Sequence, residues 1–198
     1  MQLMDVISAM HDWKLVPEIF LVEADCDLAA MVKKALGDGI RMFVVCGGDG
    51  TIDVMAGALA GTKATLGIIP TGTQNNVAIS LGIPVDIPLA IAILRTGQRT
   101  KVDVGLVVCG EIRQIFLEVC TVGLLSALFP AADDIQHGDL SQIGDFLSML
   151  AVSAPAEINL VLDGKQEIKN PGHVVLVSNT RYIGPHFIDT VQLRCSKI

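Results

Sequence analysis

Val44-Val45-Cys46-Gly47-Gly48-Asp49-Gly50-Thr51-Ile52 ends an apolar run in three glycines and a single carboxylate, with Asp53 directly after. A buried strand that stops here and feeds a helix offers free backbone N–H groups beyond its C-terminal end. Such an opening binds phosphate oxygens, helped by the positive end of the helix dipole. Glycine suits the place because a Cβ would hold the backbone away from a phosphate, and because the turn calls for positive φ. Gly47, Gly48, Asp49, Gly50 and Thr51 thus form a candidate phosphate-binding loop. Asp49 needs a further explanation, since phosphate repels a carboxylate unless it holds Mg²⁺ or accepts a proton from an attacking hydroxyl. The plainer alternative is a glycine-rich turn whose aspartate caps the next helix.

About twenty residues on, "GIIPTGTQNNVA" repeats the grammar of strand, tight loop and helix. In a parallel sheet this second loop emerges at the same edge as the first. Gly72, Thr73, Asn75 and Asn76 join the candidate binders there; Thr73 and Asn75 can donate to phosphate or hold the loop by bonds to its backbone.

The elements that must position these loops follow from periodicity. An amphipathic stretch runs through Met10, followed by the apolar run Leu15 to Val22. Leu28, Ala29, Val32 and Leu36 share one helical face, closed by Gly37 and Gly39. Met42 to Cys46 is apolar on both faces, as a central parallel strand is. Ile52, Met55, Ala56 and Leu59 recur at helical spacing until Gly61, and "ATLGIIP" reads as another strand. Val77 to Leu81 makes a short helix ended by Gly82, and a last helix opens at Pro88 and closes at Gly97. Repeated β-loop-α of this kind predicts a parallel sheet covered by helices, an α/β three-layer domain over residues 1–100. From about 101 to 198 the grammar is β-rich: "KVDVGLVV", "IRQIFLEV", "EINLVLDGKQEI" and "HVVLVSNT". Turn signals at Cys109-Gly110 and Asp163-Gly164 predict antiparallel hairpins. "SQIGDFLSMLAVSA" predicts one helix between them, and the β domain breaks off in "LRCSKI", mid-element.

Composition removes several classes of function. Of 198 residues, 51% are hydrophobic and only 4% aromatic, so the core is aliphatic. The formal charge of −7 comes with no basic run, which argues against a nucleic-acid surface. Mean hydropathy is high at +0.56, yet no apolar stretch approaches the roughly 18 residues of a membrane span. The N-terminus shows no signal-peptide pattern, so the expected location is cytoplasmic. The five cysteines form no C-x-x-C pair and the four histidines are scattered, so no protein-ligated metal centre is expected. P-loop, H-R-D, G-x-S-x-G and H-E-x-x-H motifs are missing.

Gly47-Gly48-Asp49-Gly50-Thr51 followed by Pro70-Thr71-Gly72-Thr73-Gln74-Asn75-Asn76-Val77-Ala78 resembles the catalytic domain of the diacylglycerol kinase and lipid kinase family, which includes sphingosine kinases and bacterial soluble lipid kinases. The resemblance continues through Thr100-Lys101-Val102-Asp103-Val104-Gly105 and weakly to "VSNTRYIG", nearly the whole chain. It implies that the α/β three-layer domain is nucleotide-binding, taking ATP and Mg²⁺, with the phosphates over residues 47–53, Ile52 and Asp53 included, and Thr73, in a cleft between the two domains. It places Asp49 near the reacting phosphate, as base for a lipid hydroxyl, and a diacylglycerol-like or sphingoid lipid against the β domain near "CTVGLLSALFP", which includes Gly123. Asp103 either supports the domain junction or contacts the substrate side. A transient visit to a membrane surface and a homodimer are further expectations.

The chain departs from the family's pattern in four places. It begins after the usual first strand and N-P-x-S-G loop, Val22 stands where a threonine commonly faces the nucleotide, Asn76 replaces the second loop's aspartate, and the chain ends before the later D-G-E carboxylates. A fragment truncated at both ends is the expectation, with marginal stability or self-association. Two alternatives stay open: an NAD kinase, which shares G-G-D-G-T, and a nucleotide- or lipid-binding protein without turnover.

Overall fold

The computed structural model describes residues 3–23, 26–124 and 153–179, and the backbone of 182–183 and 186–187. The chain forms two compact units, one of Met1–Glu118 with Asn179–Asp189, the other of Val119–Ser178 with Thr190–Ile198.

The first unit is built on two parallel strands, β1 (Met42–Gly47) and β2 (Thr65–Pro70), in register from Met42 opposite Thr65 to Gly47 opposite Pro70. Because both strands stop at the same level, the loops after them start side by side, and Thr71 N donates to Gly47 O at 3.1 Å. Side chains alternate along a strand, and here the two faces bury separate clusters. Val45 and Ile68 face α2 (Leu28–Gly37) and α3 (Asp49–Leu59), packing with Val32, Ile52, Met55 and Leu59. Val44 and Ile69 face α1 (Leu3–Asp12) and α5 (Ile87–Thr96), packing with Val6, Met10 and Ile91. Helices on both faces make the expected three layers.

Local chemistry fixes the helix ends. Asp27 accepts from Ala30 N and Asp86 from Leu89 N, which caps α2 and α5, and Pro88 sits in the first turn of α5. Gly39, Gly61 and Gly82 adopt positive φ just past α2, α3 and the short α4 (Asn76–Ser80).

The antiparallel hairpins form as expected. β3 (Gly105–Cys109) pairs with β4 (Ile112–Phe116) around Gly110 at φ +58°, within the first unit. In the second unit β6 (Ala156–Leu162) pairs with β7 (Gln166–Gly172), and Asp163 and Gly164 both take positive φ in the turn between them. There too, β5 (Val119–Gly123) pairs with β8 (Val174–Ser178). Two short strands, β9 (Tyr182–Ile183) and β10 (His186–Phe187), complete the described elements. The antiparallel grammar starts near residue 100, whereas the compact units divide at Glu118. Most of the expected helix over 141–154 lies outside the described residues, as does "CTVGLLSALFP" beyond Leu124. No described helix is long and apolar enough to cross a membrane.

The apolar run Leu15–Val22 forms no strand. A strand needs a neighbour to take its N–H and C=O groups, and among the described residues β1 pairs only with β2. The run is left exposed, with Val16 at 86%, Leu21 at 72% and Phe20 at 60% of their full accessibility. An exposed apolar run of this kind favours association. The chain is expected to elute from a sizing column ahead of a 198-residue monomer, and a Phe20→Lys/Leu21→Lys variant to move toward the monomer position.

Candidate functional site

Loop one runs from Gly47 into α3, and loop two from Thr71 into α4. They meet backbone to backbone at Gly48 and Gly72. A Cβ on Gly72 would stand 2.5 Å from Gly48 Cα, and one on Gly48 3.1 Å from Gly72 Cα. Glycine is therefore required here by close approach. The positive φ expected of the first-loop glycines is not found, and Gly48 is extended at φ −92°. The left-handed residue is Asn75, at φ 54° and ψ 37°. Its side chain locks loop two, since Oδ1 accepts from Gly72 N at 2.9 Å and Nδ2 donates to Gly72 O at 2.8 Å. Both ends of the Asn75 amide are thus occupied in holding the turn.

Asp49 is the first residue of α3, yet it caps a different helix. Its Oδ2 accepts from Asn76 N at 3.1 Å and its Oδ1 from Val77 N at 3.0 Å. These are the leading N–H groups of α4, which no residue of its own caps through a side chain. The carboxylate therefore ties the two loops together and sits at the positive end of α4. Gly50, Thr51 and Ile52 continue α3. Thr51 N and Ile52 N both donate to Gly48 O at 3.1 Å, and Ile52 is fully buried as a core anchor. Gly50 and Thr73 are exposed at the mouth of the loops.

One turn along α3 from Asp49, Asp53 Oδ1 accepts from Leu117 N at 2.9 Å. Burial pushes the Asp53 carboxyl up; that bond opposes the shift and Asp49 adds to it. Glu118 follows. Its carboxyl is pushed up to about 7 by burial and by the negative charges of Asp49 and Asp53, while a hydrogen bond from the Asn76 side chain pulls the other way. Its Oε1 is buried without a hydrogen-bond partner. Asn179 closes this corner, donating from Nδ2 to Asp103 O at 2.9 Å and to Leu117 O at 3.0 Å, and from N to Glu118 O at 2.7 Å.

Asp103 thus belongs to the site's surroundings through its backbone carbonyl. Gly123 lies in the second unit, where φ +102° and the close approach of His173 O leave no room for a Cβ, so strand pairing explains the glycine. Sequence reasoning missed Glu118 and Asn179. A lone charge inside the apolar run Ile115-Phe116-Leu117-Glu118-Val119 was the available clue, because an ionisable group is seldom set among buried neighbours without cause.

The raised Glu118 carboxyl makes stability depend on pH. An unfolded Glu118 loses its proton near its ordinary value of 4.5, the folded one near 7, so between these values the folded state binds more protons. Stability then falls as pH rises through this window, and the full penalty is present above it. Asp53 acts in the same direction. The melting temperature is expected to drop between about pH 5 and 8, and to drop less in Glu118→Gln, which has no charge to bury.

The family profile described as "Diacylglycerol kinase catalytic domain" matches residues 2–107, which include both loops and Asp103. The chain belongs to this family. A diacylglycerol kinase of Mycobacterium tuberculosis is 32% identical over 162 residues, 80% of this chain and 52% of its own. One of Bacillus subtilis is 32% identical over 145 residues, 70% of this chain and 46% of its own. A crystal structure of a diacylglycerol kinase from Bacillus anthracis str. Sterne superposes with a TM-score of 0.65 at 24% identity, over 92% of this chain and 63% of that one, and supports the fold. The chain spans about half the length of the curated relatives it matches.

Proposed function

We propose that this chain carries the nucleotide-phosphate site of an ATP-dependent lipid kinase, which transfers the γ-phosphate to a hydroxyl of a diacylglycerol-like or sphingoid lipid. The observation that carries the reading is the joining of two glycine loops by Asp49, in a chain of the diacylglycerol kinase catalytic family. Backbone N–H groups of the loops and of the first turn of α3 would receive the phosphates, with Gly50 open at the mouth and Thr73 at the rim, while Gly47, Gly48 and Gly72 let the backbone pack closely enough to bring the loops together. Thr51, Ile52, Asn75 and Asn76 hold the frame. Asp49 fixes the spacing of the loops and orients the reacting groups, so catalysis comes from positioning and from electrostatics set before the substrates arrive.

Among the described residues no three His, Cys, Asp or Glu side chains converge to hold a metal ion. These residues therefore offer Mg²⁺ no cage, and the ion would arrive with the nucleotide, held by phosphate oxygens and water. The lipid would come from a membrane surface, with the protein acting from the cytoplasm. The NAD kinase reading gains nothing from the relatives described above, which are named for diacylglycerol.

The test is transfer of labelled γ-phosphate from ATP to dioctanoylglycerol or sphingosine in mixed micelles, with NAD as a third acceptor. Label in a lipid supports the proposal. Label in NAD alone overturns it, and saturable ATP binding without transfer to any acceptor points to a binding protein.

A further inference from the structure

We propose that Glu118, rather than Asp49, receives the proton of the acceptor hydroxyl; the inference rests on the kinase reading above. Asp49, Asp53 and Glu118 feel one another's charge, and their hydrogen bonds set them apart. Both Asp49 oxygens already accept N–H groups from the first turn of α4, which makes Asp49 an anchor. Asp53 accepts the Leu117 N–H. Glu118 alone of the three has a buried oxygen, Oε1, with no partner. A buried acceptor without a donor is costly to a fold and rare in native proteins, so it stands out where chemistry is expected. An incoming O–H is the group that would satisfy it.

The backbone around Glu118 is set for that task. Leu117 N is held by Asp53, Leu117 O by the Asn179 side chain, and Glu118 O by Asn179 N. Asn76 donates to the carboxylate itself. A base is most effective when its support fixes its direction. The charged groups acting on it are Asp49 and Asp53, both from α3, and Asn76 of α4 faces it with a neutral amide. Two negative neighbours and burial strengthen its hold on a proton to about 7, which suits a general base working near neutral pH.

In the step itself, the acceptor O–H bond breaks as its oxygen forms a bond to the γ-phosphorus. The bond from that phosphorus to the bridging oxygen breaks with its electron pair leaving on ADP, and the proton passes to Glu118 Oε1, then to solvent. Asp49 keeps the loops in place throughout.

The deciding experiment measures kcat and KM for transfer to dioctanoylglycerol from about pH 5.5 to 9 in the wild type, Glu118→Gln, Glu118→Asp and Asp49→Asn, with ATP affinity measured by calorimetry. In Glu118→Gln, kcat is expected to fall about 100-fold or more while ATP affinity holds within about threefold. The wild-type acidic limb near pH 7 should vanish from the residual activity, and Glu118→Asp should recover part of the rate. Glu118→Gln turning over near the wild-type rate, or keeping the acidic limb, overturns the inference alone. So does a loss shared equally by ATP affinity and kcat with no recovery in Glu118→Asp, the pattern of a structural role. No transfer by the wild type overturns both this inference and the kinase reading.

Discussion

Asp49→Asn is expected to lower phosphoryl transfer at least about 100-fold and to cost the fold about 2 kcal/mol. The reason lies in the two bonds that Asp49 accepts. An asparagine has one oxygen, so it can satisfy Asn76 N or Val77 N but must turn its own N–H₂ toward the other. Two donors then face each other at the start of α4, and a part-buried N–H loses its partner. A compensating effect exists, because removing this charge relieves Glu118 and Asp53, both raised by Asp49. The geometric loss should win, since those two carboxyls can relieve the repulsion by taking a proton, whereas a backbone N–H has no such recourse. Asp53→Asn provides the contrast: its amide oxygen can still accept Leu117 N, so its stability should stay within about 1 kcal/mol. Urea unfolding of both variants beside the transfer assay checks the pair. An Asp49→Asn protein with wild-type turnover removes Asp49 from the site.

These residues also show what a sequence discloses. The glycine loops, the two parallel strands and their covering helices were legible, because G-G-D-G-T, the two-faced apolar runs and the i, i+3, i+4 spacing are local properties of the chain. The β-hairpins were legible at Gly110 and at Asp163-Gly164 for the same reason. Partnership across sequence distance was not. Asp49 reads as a cap for its own helix, and only the folded chain reveals that it caps α4, 27 and 28 residues away. Glu118 lies in a stretch that reads as a strand, and its meaning comes from Asn76 and α3 folding against it. Leu15–Val22 shows the limit of an apolar pattern taken by itself, since the run forms no strand and is largely exposed. Asn75 was understood half-way: its side chain was expected to reach either phosphate or backbone, and the backbone holds it.

Gly72→Ala is the second large effect expected, a loss of about 3 kcal/mol or more, the upper range for overpacking. Its Cβ would lie 2.5 Å from Gly48 Cα, 3.0 Å from Asn75 Oδ1 and 3.3 Å from Gly48 N. Two of these three are backbone atoms, fixed by the register of β1 with β2 and by the bond from Thr71 to Gly47. Relief therefore has to come from parting the loops, which stretches the bonds of Asp49 to α4 and loosens Asn75 from Gly72. Gly50→Ala separates this packing demand from any demand made by a ligand. Nothing lies within 4 Å of a Cβ there, and alanine favours the helix by up to about 1 kcal/mol over glycine. That variant should match or exceed the wild type in urea. If phosphate rests on the N–H groups at the start of α3, it should nonetheless bind ATP more weakly, because the new methyl stands at the mouth of the loop. Equal stability with equal ATP affinity in Gly50→Ala would move the phosphates away from Gly50, while a stable Gly72→Ala would mean that the loops can part without penalty and that Asp49 is not their tie.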